Sequence, residues 1–301
     1  MTTNNLENKE GLENIEVVGG NTLHHESSLY AEPIFNIGNF NVTNALFTSW
    51  IVVFFLIILA VIIRIKIKKI PGKLQNFFEI IIEQALSLGD QVTNNRKITE
   101  KAFPIIFTVF LIIILNNWMG ILPLGGLGII ETTEHGKAFI PLIRSGTADV
   151  NGTISLAILS VIGANIFGIL SIGLWKSINK YVNLKALGEM FTKIRKDPFI
   201  IMTAPIIFAV GLIELVGELA KVASLSFRLF GNVFAGEVLL ASMSAILIYI
   251  LPTPFLLLEI FVGLIQAFIF AILTLVYYTI SGMDHEEEHE NTEESKLNEA
   301  Y

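Results

Sequence analysis

The sequence contains no cysteine, which excludes disulfide staples, thiolate metal sites and thiol catalysis. Charge is also scarce: 16% of residues are Asp, Glu, Lys or Arg, 53% are hydrophobic, and the mean hydropathy is +0.66. A soluble domain of that composition would expose more apolar surface than water tolerates. The chain therefore reads as an integral membrane protein. None of its histidines falls in the last three apolar segments. Without a Ser/His pair or a metal-ligand cluster in the spans, an intramembrane hydrolase lacks its chemistry. No two halves of the chain resemble each other, so the internal repeats typical of an independent ion-coupled secondary transporter, the alternative reading, are missing. The first residues carry no basic region leading into a short apolar core. No cleavable signal peptide is evident, and the first membrane helix is expected to act as an uncleaved anchor.

The net charge of -7 sits mostly at the two ends. Residues 1 to 45 hold six glutamates against one lysine, and the tail after Met283 is a cluster of Glu with Asp284, His285 and His289. Both ends, and His24 and His25 with them, read as solvated. An acidic surface repels phosphate, so no nucleic-acid partner is expected, and nothing here suggests a metal or cofactor. The organisation is then a polar acidic segment over 1–44, a membrane domain over 45–283 and an acidic tail over 284–301.

A bilayer core about 30 Å thick needs about 20 apolar residues of helix. Ala45 to Ile63 is such a run, free of charge and followed by Arg64, Lys66, Lys68 and Lys69. Basic residues stay cytoplasmic, so the N-terminus is expected outside. Beyond Pro71 and Gly72, the apolar residues Leu74, Phe77, Phe78, Ile81 and Ile82 recur at helical spacing beside Glu79, Glu83 and Gln84. That predicts an amphipathic helix from Lys73 to about Gly89, lying in the cytoplasmic interface. Phe103 to Leu122 is a second span with Asn116 and Asn117 near its outer end, and Pro123 to Gly128 forms an external loop that leads on past His135. Gly152 to Leu174 returns inward to a basic loop carrying Lys176, Lys180, Lys185, Lys193, Arg195 and Lys196.

Phe199 to Ile250 is too long for one ordinary crossing: as a single helix it would measure about 75 Å. Either it is strongly tilted or it breaks into two passes with Arg228 at the bend. Spacing favours a helix, because Glu214, Lys221 and Arg228 are each seven apart on one stripe, with Ser224 and Asn232 one turn to either side of Arg228. Glu237 falls on the other face, which suggests two separate polar environments. After Pro252 and Pro254 a last helix runs to about Ser281, with Glu259 and Gln266 on one face and Tyr277 further along. Arg228 is the sharpest feature of all. A guanidinium does not lose its proton, and a charge at mid-bilayer costs about 3 kcal/mol by insertion scales, so something must compensate for it.

The block Ser226-Phe-Arg-Leu-Phe-Gly-Asn-Val-Phe-Ala-Gly-Glu237, the stretch Gly211 to Ser224 before it, and Gln266-Ala-Phe-Ile-Phe270 after it resemble subunit a of the F-type ATP synthase. Pro71-Gly72-Lys and Ala148-Asp149-Val-Asn151 fit the same family. The resemblance covers about residues 45 to 281. It implies an all-α polytopic protein of about five membrane-spanning helices plus one interfacial amphipathic helix, the last two spans forming a long tilted hairpin. It also implies a stator channel of a bacterial inner-membrane enzyme, not catalytic alone, packed against a ring of c subunits and a b-subunit stator stalk, with the C-terminus cytoplasmic. Arg228 would attract deprotonated ring carboxylates and block direct passage between two half-channels. Glu237, Glu259 and Gln266 would serve the outer half-channel with Asp149 and Asn151 as lining, Glu214 and Lys221 the inner one, and Asn232 would orient Arg228. Glu259 stands where some relatives have histidine, so Glu237 and Glu259 are expected to face each other and share a proton. The choice between H+ and Na+ is made by ligands on the c subunit.

Each assignment has a structural rival. Arg228 would snorkel to the headgroups; Glu237, Glu259 and Gln266 would bond between helices. Glu214, Glu218 and Lys221 would form helical ion pairs. Asp149 and Asn151 would cap a helix, and Tyr277 would sit in the interfacial belt.

Overall fold

The computed structural model describes residues 15–18, 21–24, 31–122, 128–133, 136–173, 200–247 and 250–282. Among the described residues six helices carry the fold: α1 (Asn44–Lys66), α2 (Lys73–Thr93), α3 (Arg96–Ile121), α4 (Val150–Ile172), α5 (Ile200–Ile246) and α6 (Pro252–Gly282). By length and composition α1, α3, α4 and α6 are apolar enough to cross a membrane. The fifth long helix, α5, is set apart by Glu214, Glu218, Lys221, Arg228 and Glu237 along its length. It is unbroken over 47 residues, about 70 Å at 1.5 Å per residue, so the reading with a bend at Arg228 does not hold. Its one proline, Pro205, stands near the start of the helix, well before Arg228, and the hydrogen-bonded ladder continues through Gly231 and Gly236.

The basic loop between Leu174 and Phe199, His25, His135, His285, His289 and the tail lie outside the described residues. The segment before α1 departs from a purely solvated reading. It contains strands β1 (Ile15–Val18), β2 (Asn21–His24), β3 (Pro33–Ile37) and β4 (Phe40–Thr43). Strands β5 (Gly128–Thr133) and β6 (Gly136–Pro141) follow α3 and join the first two in a sheet of order β1-β2-β6-β5, where β2 runs parallel to β6. Short β-branched and apolar alternations such as Ile15-Glu-Val-Val18 suit a pleated surface. The β3–β4 hairpin turns at Gly38, whose φ of +65° favours a residue without Cβ. It leads straight into α1, where the Thr43 hydroxyl caps the helix by accepting from the Leu46 amide at 3.4 Å.

The amphipathic α2 extends beyond Gly89 to Thr93, and α3 starts seven residues before the expected Phe103. The reason is a tight corner. Asn94 takes the left-handed conformation (φ 50°) that ends α2, and Asn95 caps α3 by accepting from the Lys97 amide at 3.0 Å. Arg96 then reaches Asp90 at 2.6 Å and Glu100 at 2.8 Å. The hydrogen bond from Arg96 is the main reason that the Asp90 carboxyl is held below the usual carboxylate range.

The core is a helix bundle in which α6 packs against both α3 and α4, and α5 lies along α4 and α6. Ile113, Val161, Leu225, Leu229 and Phe270 form one buried cluster, and Ala102, Ala164, Ala271, Leu275 and Tyr278 the next. Alanines at the contacts let these helices approach closely, as in lipid, where packing rather than hydrophobic burial holds helices together. By contrast α1 packs mainly on α3, and Phe54, Phe55, Ile57 and Ile58 stay on its outer face.

Candidate functional site: two polar clusters on one long helix

The first cluster gathers at the end of the bundle that carries Asn44, Ile121 and Val150. Residues Arg144 to Ala148, between β6 and α4, are all buried. Ser145 Oγ donates to the Asn116 carbonyl at 3.0 Å, and the Thr147 hydroxyl donates to Asn117 Oδ1. Asn117 in turn donates from Nδ2 to the Gly263 carbonyl of α6 at 3.0 Å. The two adjacent asparagines near the end of α3 thus hold the pre-α4 segment on one side and α6 on the other, which satisfies backbone groups that would be costly to leave unpaired at membrane depth.

This frame surrounds a cavity of about 120 Å³ lined by Asn117, Gly120, Ser145, Val233, Glu237 and Glu259, among others. Glu237 and Glu259 therefore border the same space, from α5 and α6. Their surroundings differ. Arg144, with its side chain 6% exposed, donates from Nε to Glu237 Oε1 at 3.0 Å and from Nη2 to Oε2 at 2.9 Å. Glu259 is 9% exposed, and among the described residues no hydrogen bond reaches its carboxyl. It lies against Gly236, where an added Cβ would meet the carboxyl group and push it from this position.

Next along α5, Asn232 donates from Nδ2 to Gln266 Oε1 of α6 at 2.6 Å. Asn232 is thus committed to Gln266, an interhelix bond, rather than to Arg228. Arg228 projects from the exposed face of α5; among the described residues its one hydrogen bond is a long 3.5 Å contact to Ser224 Oγ. Phe227 beside it is exposed as well.

The second cluster lies on α5 toward its N-terminal half. Lys221 Nζ donates to Glu218 Oε1 at 2.6 Å, Asn165 of α4 donates to Glu218 Oε2 at 3.3 Å, and the ammonium stands 5.1 Å from the Tyr277 ring of α6. Asn165, Glu218, Lys221 and Tyr277 are therefore one assembly across α4, α5 and α6, in which the Tyr277 ring faces the Lys221 ammonium. Glu214 is two turns further back on the same stripe. Asp149 caps α4 by accepting from the Asn151 amide at 3.2 Å, and neither residue lines the cavity beside Glu237.

Sequence reasoning passed over Arg144 and Asn117's bridging role. Arg144 stands in a loop-like stretch, where an arginine reads as solvated. One signal was present: the polar small residues Ser145, Gly146 and Thr147 run directly into Ala148-Asp149 at the head of a span.

The fold and these clusters define a class: a multi-pass helical membrane protein that keeps charged side chains along one continuous helix. A family model described as ATP synthase A chain matches residues 46–279. The chain is 32% identical over 252 residues to ATP synthase subunit a of Mycobacterium tuberculosis (strain CDC 1551 / Oshkosh), covering 82% of this chain and 89% of the relative. It is 31% identical over 258 residues to ATP synthase subunit a, sodium ion specific, of Propionigenium modestum, covering 84% and 78%. A third relative, ATP synthase subunit a of Geotalea daltonii, is 28% identical over 234 residues, covering 78% and 85%. This chain belongs to the ATP synthase A chain family, subunit a of the F-type ATP synthase.

Proposed function

We propose that the chain is the proton-channel stator subunit of a rotary F-type ATP synthase. It conducts protons through two offset half-channels to and from carboxylates on a ring of c subunits, and so couples proton flow to ring rotation. The observation that carries this reading is Arg228, exposed on α5, whose one hydrogen bond among the described residues is the long contact to Ser224. A guanidinium facing out of the bundle within the membrane needs an anionic partner from another chain. A ring carboxylate meets that need each time it arrives deprotonated, because the opposite charge favours its ionised form. Arg228 also stands between the two polar clusters and denies protons a direct route. The cavity bordered by Glu237 and Glu259, with Asn232 and Gln266 beyond it, is the outer half-channel in this reading. The Glu218–Lys221–Tyr277 cluster with Glu214 is the inner one, and Asp149 and Asn151 stand at the outer rim. A membrane potential of 100 mV then supplies about 2.3 kcal/mol per charge moved.

In this arrangement the protein sits in a bacterial inner membrane beside the c ring and the b-subunit stalk, with α2 in the cytoplasmic interface. The N-terminus is outside and the C-terminus inside. Purification in mild detergent is expected to bring down a c ring and the soluble ATPase subunits; a lone homo-oligomer would instead support a secondary transporter. Orientation has its own test. In this cysteine-free chain a Ser295→Cys variant is expected to resist an impermeant thiol reagent added from outside. Labelling of intact cells would overturn the assigned orientation.

A further inference from the structure

Arg144 is a buried arginine that the half-channel reading leaves without a task. Its side chain is 6% exposed, against 34% for Glu237, yet it spends both Nε and Nη2 on that one carboxylate. The Arg144 backbone is itself fixed, because its amide donates to the Thr48 hydroxyl of α1 at 3.2 Å. A bidentate guanidinium–carboxylate pair at membrane depth is geometrically demanding, and removing either member breaks a charge-assisted fork between a buried guanidinium and a half-buried carboxylate. Around the cavity, α6 contributes the carboxyl of Glu259, and the polar side chains from α3 and the pre-α4 segment are the neutral Asn117 and Ser145; Arg144 acts there through its fork to Glu237. The two acids in one cavity are therefore unequal: one is matched by a cation and fixed in place, and the other has no hydrogen bond among the described residues.

We infer that Arg144 is a positioning residue of the outer half-channel, which neutralises and immobilises Glu237 so that Glu259 alone carries the proton through this cavity. The inference rests on the half-channel reading and divides its work between the two acids. The Arg144–Glu237 pair sets the shape and charge of the entrance, and it ties α5 to the segment before α4. A relay in which Glu237 and Glu259 share a proton makes a different forecast, because there the Glu237 carboxyl is indispensable.

The test is a double-mutant cycle in the complete synthase, read as ATP-driven proton pumping in membrane vesicles and as the amount of this chain retained with the assembled complex. Arg144→Gln strands the carboxylate and is expected to lower pumping by about tenfold or more, with some loss of assembly. Glu237→Gln takes the carboxylate out of the fork and is expected to lose a similar factor. The double variant Arg144→Gln/Glu237→Gln removes both charges, and both pumping and assembly are expected to return to within about threefold of the parent. Arg144→Lys keeps the charge without the fork and is expected to fall between the parent and Arg144→Gln. A double variant as impaired as Arg144→Gln would overturn the inference, and so would Arg144→Lys no better than Arg144→Gln. The half-channel reading stands or falls separately, on Glu259→Leu: unchanged pumping there would remove the proton path, whatever the Arg144 variants do.

Discussion

Replacing Arg228 by alanine is expected to abolish coupled ATP synthesis while passive proton permeability through the assembled membrane sector rises. The barrier between the two polar clusters disappears, but the clusters themselves remain, since Glu218 and Lys221 hold each other and Asn232 holds Gln266 without help from Arg228. Arg228→Lys is expected to lose coupling as well. An ammonium is shorter, more strongly hydrated and able to deprotonate when buried, whereas a guanidinium keeps its charge throughout. The competing picture of a snorkelling arginine makes the opposite forecast, because a headgroup contact accepts lysine readily. Vesicles containing each variant would be assayed for ATP-driven pumping and, after removal of the soluble ATPase, for proton leak. A coupled Arg228→Lys enzyme would rule out the proposed mechanism.

The second large effect is expected at Glu259. A positioned proton-transfer group is typically worth a factor of 100 or more, so Glu259→Leu is expected to reduce pumping by about a hundredfold, with Glu259→Gln close behind. Glu259→His is expected to retain far more activity, because an imidazole of suitable pKa still passes a proton on. The packing supplies a companion variant. Gly236 lies so close to the Glu259 carboxyl that any added Cβ would collide with it, so Gly236→Val is expected to displace the acid and reproduce most of the Glu259→Leu loss. Assembly of the complex is checked in parallel by the amount of c ring recovered with each variant. Equal pumping by Glu259→Leu, Glu259→Gln and the parent would mean that the residue only shapes the bundle.

Much of the helical frame was legible because its signals are local. A charge-free run of apolar residues needs no partner to be recognised as a span, and α1, α4 and α6 begin and end within a few residues of their sequence-based limits. The seven-residue spacing of Glu214, Lys221 and Arg228 told of an uninterrupted helix, and α5 is uninterrupted. Where local signals were weak the reading fell short. The start of α3 was missed because its first turn, Arg96 to Lys101, is charged; what makes it helical is the Asn95 cap and the ion pairs of Arg96 with Asp90 and Glu100. The strand pairing of β2 with β6 joins residues more than a hundred positions apart, and no short-range pattern announces such a contact.

The polar residues divide in the same way. By itself the sequence determined which side chains are costly in a membrane, because the cost of burying Arg228, Glu237 or Glu259 belongs to the residue and its apolar neighbours along the chain. Only the tertiary structure decided how those costs are met. Arg144 reaches Glu237 from a segment 93 positions away, Asn117 bridges to Gly263 across 146 positions, and Glu259 sits in the space that Gly236 leaves open. Compensation of a buried charge is a matter of ångströms between separate helices, and spacing along one chain segment carries no information about that distance.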